Sequence, residues 1–127
     1  MHIIPTPATE HETLAHERLD AYRLAVHFCE LAQAITARLP RSKGQLGDQL
    51  ARASEGIVLR IAEGAGAEFR SADQKRYFRS ARGSALECAA VLDICRIRRV
   101  GTTEQLQHGR VLLVRIVQML SKLARSP

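Results

Sequence analysis

The sequence predicts an all-α protein, an up-down-up-down four-helix bundle. Three observations carry this. Apolar residues recur at helical steps of three and four in four successive segments. Short stretches containing proline or glycine separate those segments. Neither an Asn-Gly hairpin signal nor a sustained period-two alternation occurs in the chain. Short joints between helices of similar length favour antiparallel neighbours, hence the alternating order.

Residues 1–16 are expected to form a flexible arm, interrupted by Pro5 and Pro7 and carrying Thr6, Thr9, Glu10 and Glu12. The bundle then occupies residues 17–127. His2, His11 and His16 lie in the arm, and Glu12 shares a helical face with His16, but zinc needs more converging ligands than that.

The first helix runs from Glu17 to Leu39. Pro40 closes it, because the residue before a proline is pushed out of helical geometry. Tyr22, Ala25, Val26, Cys29 and Ala32 make one apolar face, and Leu24, Phe28, Leu31, Ile35 and Leu39 continue it round the cylinder. This arc exceeds half the circumference, more than a peripheral helix in a small bundle needs. The excess points to a neighbouring subunit. His27 falls on the remaining polar side, where solvent is its expected surrounding.

A basic loop, residues 40–44, leads to a second helix from Gln45 to Glu63. Leu46, Leu50, Ala53, Ile57 and Ile61 form its core face. Leu59 lies opposite, near Arg52 and Glu55, and adds to the case for a second buried surface. Gly64 and Gly66 are expected to end the helix by entering the left-handed backbone region, making a corner from Gly64 to Arg70.

Ser71 and Gln74 match a capping box that opens the third helix, which runs to Arg98. Its core face is Phe78, Ala81, Ala85, Cys88, Ala89 and Leu92. Leu86, Ala90, Ile94 and Ile97 make a second stripe. Gly83 costs about 1 kcal/mol relative to alanine inside a helix, so it is either tolerated or serves a close backbone contact. Val100-Gly101 ends this helix. Thr102 and Gln105 form another capping box and open the fourth helix, Thr103 to Ala124. Leu106, Gly109, Leu113, Val117 and Leu120 line its seam, with Leu112, Ile116 and Leu123 beside them.

A chain of 127 residues with 46% apolar content makes one domain with a real core. Three Phe, two Tyr and no Trp leave that core aliphatic, and they argue against an aromatic platform for single-stranded bases. The net charge of +6 and pI of 9.9 point to an anionic partner, nucleic acid first and a membrane surface second. Three cysteines, Cys29, Cys88 and Cys95, with no secretory pattern, fit a reducing cytoplasm rather than a disulfide framework. Cys88 and Cys95, seven apart, suit small buried hydrophobes better than metal ligands. No stretch approaches the ~20 apolar residues of a membrane span, so no membrane is expected.

Catalysis has little to stand on. Bundles that hold two iron ions need Glu-x-x-His pairs on two helices, and the chain has none. A phosphate-binding Gly-x-x-x-x-Gly-Lys loop is also missing. Gly64-x-Gly66 follows a helix rather than the strand a dinucleotide fingerprint requires. Ser54, Ser80 and Ser84 lack an evident base. A hydrolase using Glu63 and Glu87 would need both in one cleft; a structural role for Glu63, at a helix end or beside an Arg, is favoured. No catalytic residue, metal, cofactor or small-molecule substrate is expected.

The basic pattern is stronger. Lys75, Arg79 and Arg82 lie at i, i+4 and i+7 on one side of the third helix, with Arg76 beside them and Arg70 in the preceding corner. With Arg52 they are the candidate nucleic-acid contacts. Arg96, Arg98 and Arg99 form a second cluster, which suits a helix C-terminus electrostatically. The first cluster sits at a helix N-terminus, where cations are mildly unfavourable. Phosphate contact would explain it, and so would ion pairs with Asp48, Glu55 or Glu87 of neighbouring helices. Repeated around an oligomer, such sites would bind a polyanion through avidity, with strong salt dependence and little sequence preference.

Three blocks carry a resemblance. Gln49-Leu50-Ala51-Arg52-Ala53-Ser54 running to Ile57 and Ile61-Ala62-Glu63-Gly64, then Ala81-Arg82-Gly83-Ser84-Ala85-Leu86-Glu87, and earlier Leu19-Asp20-Ala21-Tyr22-Arg23-Leu24-Ala25, resemble the 23S ribosomal RNA intervening-sequence proteins. The likeness spans residues 18–124. One departure is Arg60, which stands where the family usually has a small polar residue. The resemblance implies a homopentameric ring of bundles. It also implies kinship with the accessory protein of diversity-generating retroelements, which binds nucleic acid and a reverse transcriptase.

The expectation is therefore a non-enzymatic, cytoplasmic, homo-oligomeric protein that binds structured RNA or DNA through a basic surface. Its subunit contacts are expected at Leu24, Phe28, Leu31, Ile35, Leu59 and Leu86. The alternative is an assembly scaffold without a nucleic-acid partner, in which Lys75, Arg79 and Arg82 pair within the structure.

Overall fold

The structure, a computed structural model, describes residues 14–125. Four helices make up the fold: α1 (Asp20–Thr36), α2 (Gly44–Gly66), α3 (Ala72–Arg98) and α4 (Thr103–Leu123). Short 3₁₀ turns precede α1 (Ala15–Arg18) and α2 (Arg41–Lys43). Of the arm expected over residues 1–16, residues 1–13 lie outside the described residues. Regular structure begins at Ala15, earlier than the Glu17 start expected for the bundle. No described helix is long and apolar enough to cross a membrane.

Each helix touches two others. α2 packs on α1 and α3, α4 packs on α3 and α1, and the diagonal pairs do not meet among the described residues. One apolar cluster fills the centre, with Phe28, Leu50, Ile57, Ile61, Leu113, Ile116 and Leu120 all fully buried. The five core positions expected on α2 are all buried, and α3 and α4 bury most of the faces expected of them. Ala89, Leu106, Val117 and Leu123 are only half-buried, and Val91 and Cys95 take core places on α3.

The wide apolar arc of α1 has an internal explanation. A helix in a square of four has two neighbours at right angles, so its buried stripe is broad. Phe28 and Ile35, expected at a subunit interface, belong to the protomer's own core, with 0% and 4% exposure. Leu24 and Leu31 are half-buried and pack against that core. Of the six expected interface residues, Leu59 and Leu86 are the exposed ones, at 57% and 55%.

The glycines also play roles other than those expected. α2 runs through Gly64 and ends at Gly66, with Ala67 in extended backbone as its cap. A Cβ on Gly64 would lie 2.8 Å from a Phe78 ring carbon and 3.1 Å from Tyr77 Cβ. Gly64 therefore lets α3 come close; it does not turn the chain. Gly109 does the same on α4, where a Cβ would meet Leu92 at 2.9 Å and Phe28 at 3.3 Å. Gly83 has open space around it and is simply tolerated.

The caps are local and follow the sequence. Thr102 and Gln105 make the reciprocal box: Thr102 Oγ1 accepts from the Gln105 amide and Gln105 Oε1 accepts from the Thr102 amide, each at 3.0 Å. α3 closes with Arg99 in the left-handed region, φ 58°, and the Val100 amide donates back to the Cys95 carbonyl at 2.8 Å. Lys43, in the basic joint before α2, donates from Nζ to the Arg98 carbonyl at 2.9 Å. It thereby caps the end of a helix 55 residues further along the chain.

Ser54 is the buried polar residue of the core. Its hydroxyl donates to the Ala51 carbonyl at 3.0 Å and lies 3.7 Å from Cys29 Sγ. Burial pushes the Cys88 thiol up to about 12 and moves Cys95 in the same direction. Both stay as neutral hydrophobes, because the interior disfavours a thiolate. The sign follows directly. The unfolded chain ionises these thiols in the ordinary range while the folded chain does not, so their contribution is complete below about pH 9 and is lost as pH rises toward 12. Urea midpoints should fall across that window, and Cys88→Ala should flatten the fall.

Candidate nucleic-acid interface

The corner between α2 and α3 is built by one glutamine. Ser71 Oγ accepts from the Gln74 amide at 3.1 Å, the half of the box that the sequence predicts. Gln74 Oε1 accepts from the amide of Arg70, at 2.8 Å, one residue earlier than an ordinary box. Its Nε2 donates to the Gly64 carbonyl at 3.0 Å. The end of α2 and the start of α3 are thus tied through a single side chain. Arg70 is held there at φ 60°, a left-handed position without glycine. Its guanidinium lies 5.1 Å from the centroid of the Phe69 ring, and Phe69 is 77% exposed.

The expected basic residues divide. Arg76 pairs with Asp73 at 3.3 Å and stacks on Tyr77 at 4.8 Å; its hydrogen bond to Asp73, then that residue's charge, raises its pKa. Arg82 is half-buried and donates from Nη1 to Ser121 Oγ of α4 at 3.3 Å. Arg79 is exposed and makes no hydrogen bond or ion pair among the described residues. Lys75 is half-buried. Arg52 is exposed on α2, away from this group.

Lys75 and Arg70 meet two cations the sequence reading did not include. A cavity of about 450 Å³ opens where the 3₁₀ turn, the α2–α3 corner and the end of α4 converge. Leu19, Phe69, Phe78 and Leu123 give it an apolar lining, and Arg70, Lys75, Lys122 and Arg125 stand around it. Among the described residues no carboxylate lines it. Lys122 and Arg125 are fifty residues from the corner in sequence, and only the return of α4 brings them there.

The two acids of the family-like blocks do not share a cleft. Glu63 is ion-paired with Arg60 on its own helix, and both are about half exposed. That pair is also the use found for the unusual Arg60. Gly56 abuts Ser84 and Gly64 abuts Phe78, which places Glu87 level with the middle of α2. About ten residues of helix, ~15 Å at 1.5 Å per residue, then separate the two carboxylates along the bundle. Acids that work together on a glycosidic bond stand ~5–9.5 Å apart. Elsewhere, His27 is not merely solvated. It stacks on His108 of α4 with ring centroids 5.3 Å apart.

No curated protein matches the chain. The family model described as 23S rRNA-intervening sequence protein matches residues 17–122, a span that takes in α1 to α3 and all but the last residue of α4. The chain belongs to the 23S rRNA-intervening sequence protein family.

Proposed function

We propose that this is a non-enzymatic, homo-oligomeric protein that binds structured RNA or DNA through the basic end of its bundle. One observation carries the reading. Cations from three separate segments, Arg70, Lys75 and the pair Lys122 and Arg125, converge around one cavity that no carboxylate lines among the described residues. Exposed Arg79 extends the same side of α3. Such a cluster attracts a polyanion, and each phosphate it neutralises releases condensed counterions, which favours binding. Arg82 meets a neutral hydroxyl, not an acid, so its charge remains available to the field.

The up-down-up-down order is part of the same reading. Contacts at Cys29–Ser54 and Thr36–Gly47, at Gly56–Ser84 and Gly64–Phe78, and at Arg82–Ser121 and Leu92–Gly109 support antiparallel neighbours throughout. A homopentameric ring is proposed on two apolar patches. Val26, Val58 and Leu59 line a shallow groove between α1 and α2. Leu86 and Val114 stand exposed on the α3 and α4 side, the opposite face of the square. Different patches on different faces suit head-to-tail contacts, which give a ring where the rotation from copy to copy closes. These same patches favour the second reading, a scaffold that only assembles.

The test is binding to a duplex across a salt series, with oligomer mass followed in parallel. Each lost phosphate contact lowers the slope of log affinity against log salt by about one. Arg79→Gln with Lys122→Gln should therefore lower it by about two, at unchanged mass. A wild-type protein that binds no nucleic acid at low salt would leave the scaffold as the account.

A further inference from the structure

The cavity at the basic end differs from a plain phosphate-binding surface, because apolar side chains share its lining and one of them is an exposed aromatic ring. We infer that it takes a single unpaired base of a bound nucleic acid, stacked on Phe69, while the surrounding cations hold the flanking phosphates. This rests on the nucleic-acid reading and deepens it.

Four observations lead there. Phe69 is 77% exposed, in a chain that buries Phe28 and Phe78 almost completely. An exposed ring of that size is costly in water, and stacking a base on it removes apolar area from both partners. The ring is backed by the Arg70 guanidinium at 5.1 Å, and such a cation attracts both a π-face and a phosphate. Leu19 and Leu123 form apolar walls, and the volume of about 450 Å³ admits a base with part of its sugar. Lys75 and Lys122 line the same cavity as the ring. Cationic groove plus stacking ring is the combination by which unpaired nucleotides are held without sequence readout. The few aromatics of the sequence argue against a platform for a run of bases, whereas the single exposed ring of Phe69 suffices for one. A fully paired duplex cannot use the ring, because its bases are already stacked. The pocket therefore confers a preference for bulges and single-stranded ends over uninterrupted duplex.

The experiment compares three probes at one salt concentration, each made as RNA and as DNA: a blunt duplex, the same duplex with one unpaired nucleotide, and that probe with the unpaired base removed to leave an abasic site. Wild-type protein should prefer the bulged probe to the other two. Phe69→Ala should weaken bulge binding by about 5- to 150-fold, the span of single-base stacking losses. It should leave the blunt duplex and the abasic probe unchanged. Phe69 is exposed, so its replacement leaves the core intact, and unchanged duplex affinity confirms that in the same assay. Equal binding of all three probes, or a Phe69→Ala protein that binds the bulge as well as wild type, would overturn the inference. If Arg79→Gln with Lys122→Gln still weakens every probe in that case, the basic-surface reading stands alone. Failure of every probe to bind at low salt removes both.

Discussion

Phe28→Ala should cost about 3–5 kcal/mol of unfolding free energy, the range for truncating a large aromatic in a packed interior. The ring is fully buried, and it lies against Gly109 where α1 meets α4. Removing it opens a void at a crossing held close by a glycine, and such a site has little freedom to collapse. For a domain of this size, stability totals about 5–15 kcal/mol. The variant should therefore be marginal or unfolded at 37 °C. Chemical denaturation with oligomer mass measured alongside discriminates two accounts of α1. A residue of the subunit interface would give a folded protein of lower mass. A core residue gives a protein whose helical signal melts early, and that is the expected result.

The second large effect is at Gly64. Valine there should destabilise by about 3 kcal/mol, the upper end of the usual overpacking range. Even a Cβ would sit 2.8 Å from the Phe78 ring and 3.1 Å from Tyr77 Cβ, and valine adds two methyl groups to that. Phe78 cannot yield easily, because it is itself buried on the core face of α3. The corner residues follow α3 as it moves, since Gln74 ties Arg70 to the carbonyl of Gly64. The variant should show a lowered urea midpoint and an increased exposure of Cys88 to thiol reagents. A midpoint equal to wild type would mean that α2 and α3 slide apart without cost, contrary to the packing described.

Glycine is where reading the sequence goes astray. A left-handed turn and a close helix crossing leave the same mark in sequence, because both need the missing Cβ. Gly64 has the second role, and the left-handed residues that shape the joints are Arg70, Arg99 and Gly101. Two of these are arginines, so composition offered no hint of them. Capping was legible for the opposite reason: Ser71 with Gln74, and Thr102 with Gln105, lie within one turn of each other. The core face of α2 was legible because Leu46, Leu50, Ala53, Ile57 and Ile61 repeat without interruption. The arc of α1 was correctly seen as wide, but the width came from two neighbours in the same chain, a fact of tertiary arrangement. The candidate site was half legible. Lys75 and Arg79 share a helical face and announce themselves. Lys122 and Arg125 join Arg70 only through the return of α4, and the end of a helix is an ordinary place for a cation.

Arg70 is a non-glycine residue kept in a backbone basin that costs on the order of 1–3 kcal/mol, and two bonds of Gln74 hold the corner there. Glycine would relax that turn and release it. The arginine instead makes the corner stiff, with its guanidinium already laid over the Phe69 ring. Ligands that meet a loose loop must first freeze it, and that ordering subtracts from affinity. Here the ordering is done during folding, so a ligand docking at this corner would meet it preorganised, without that entropic loss.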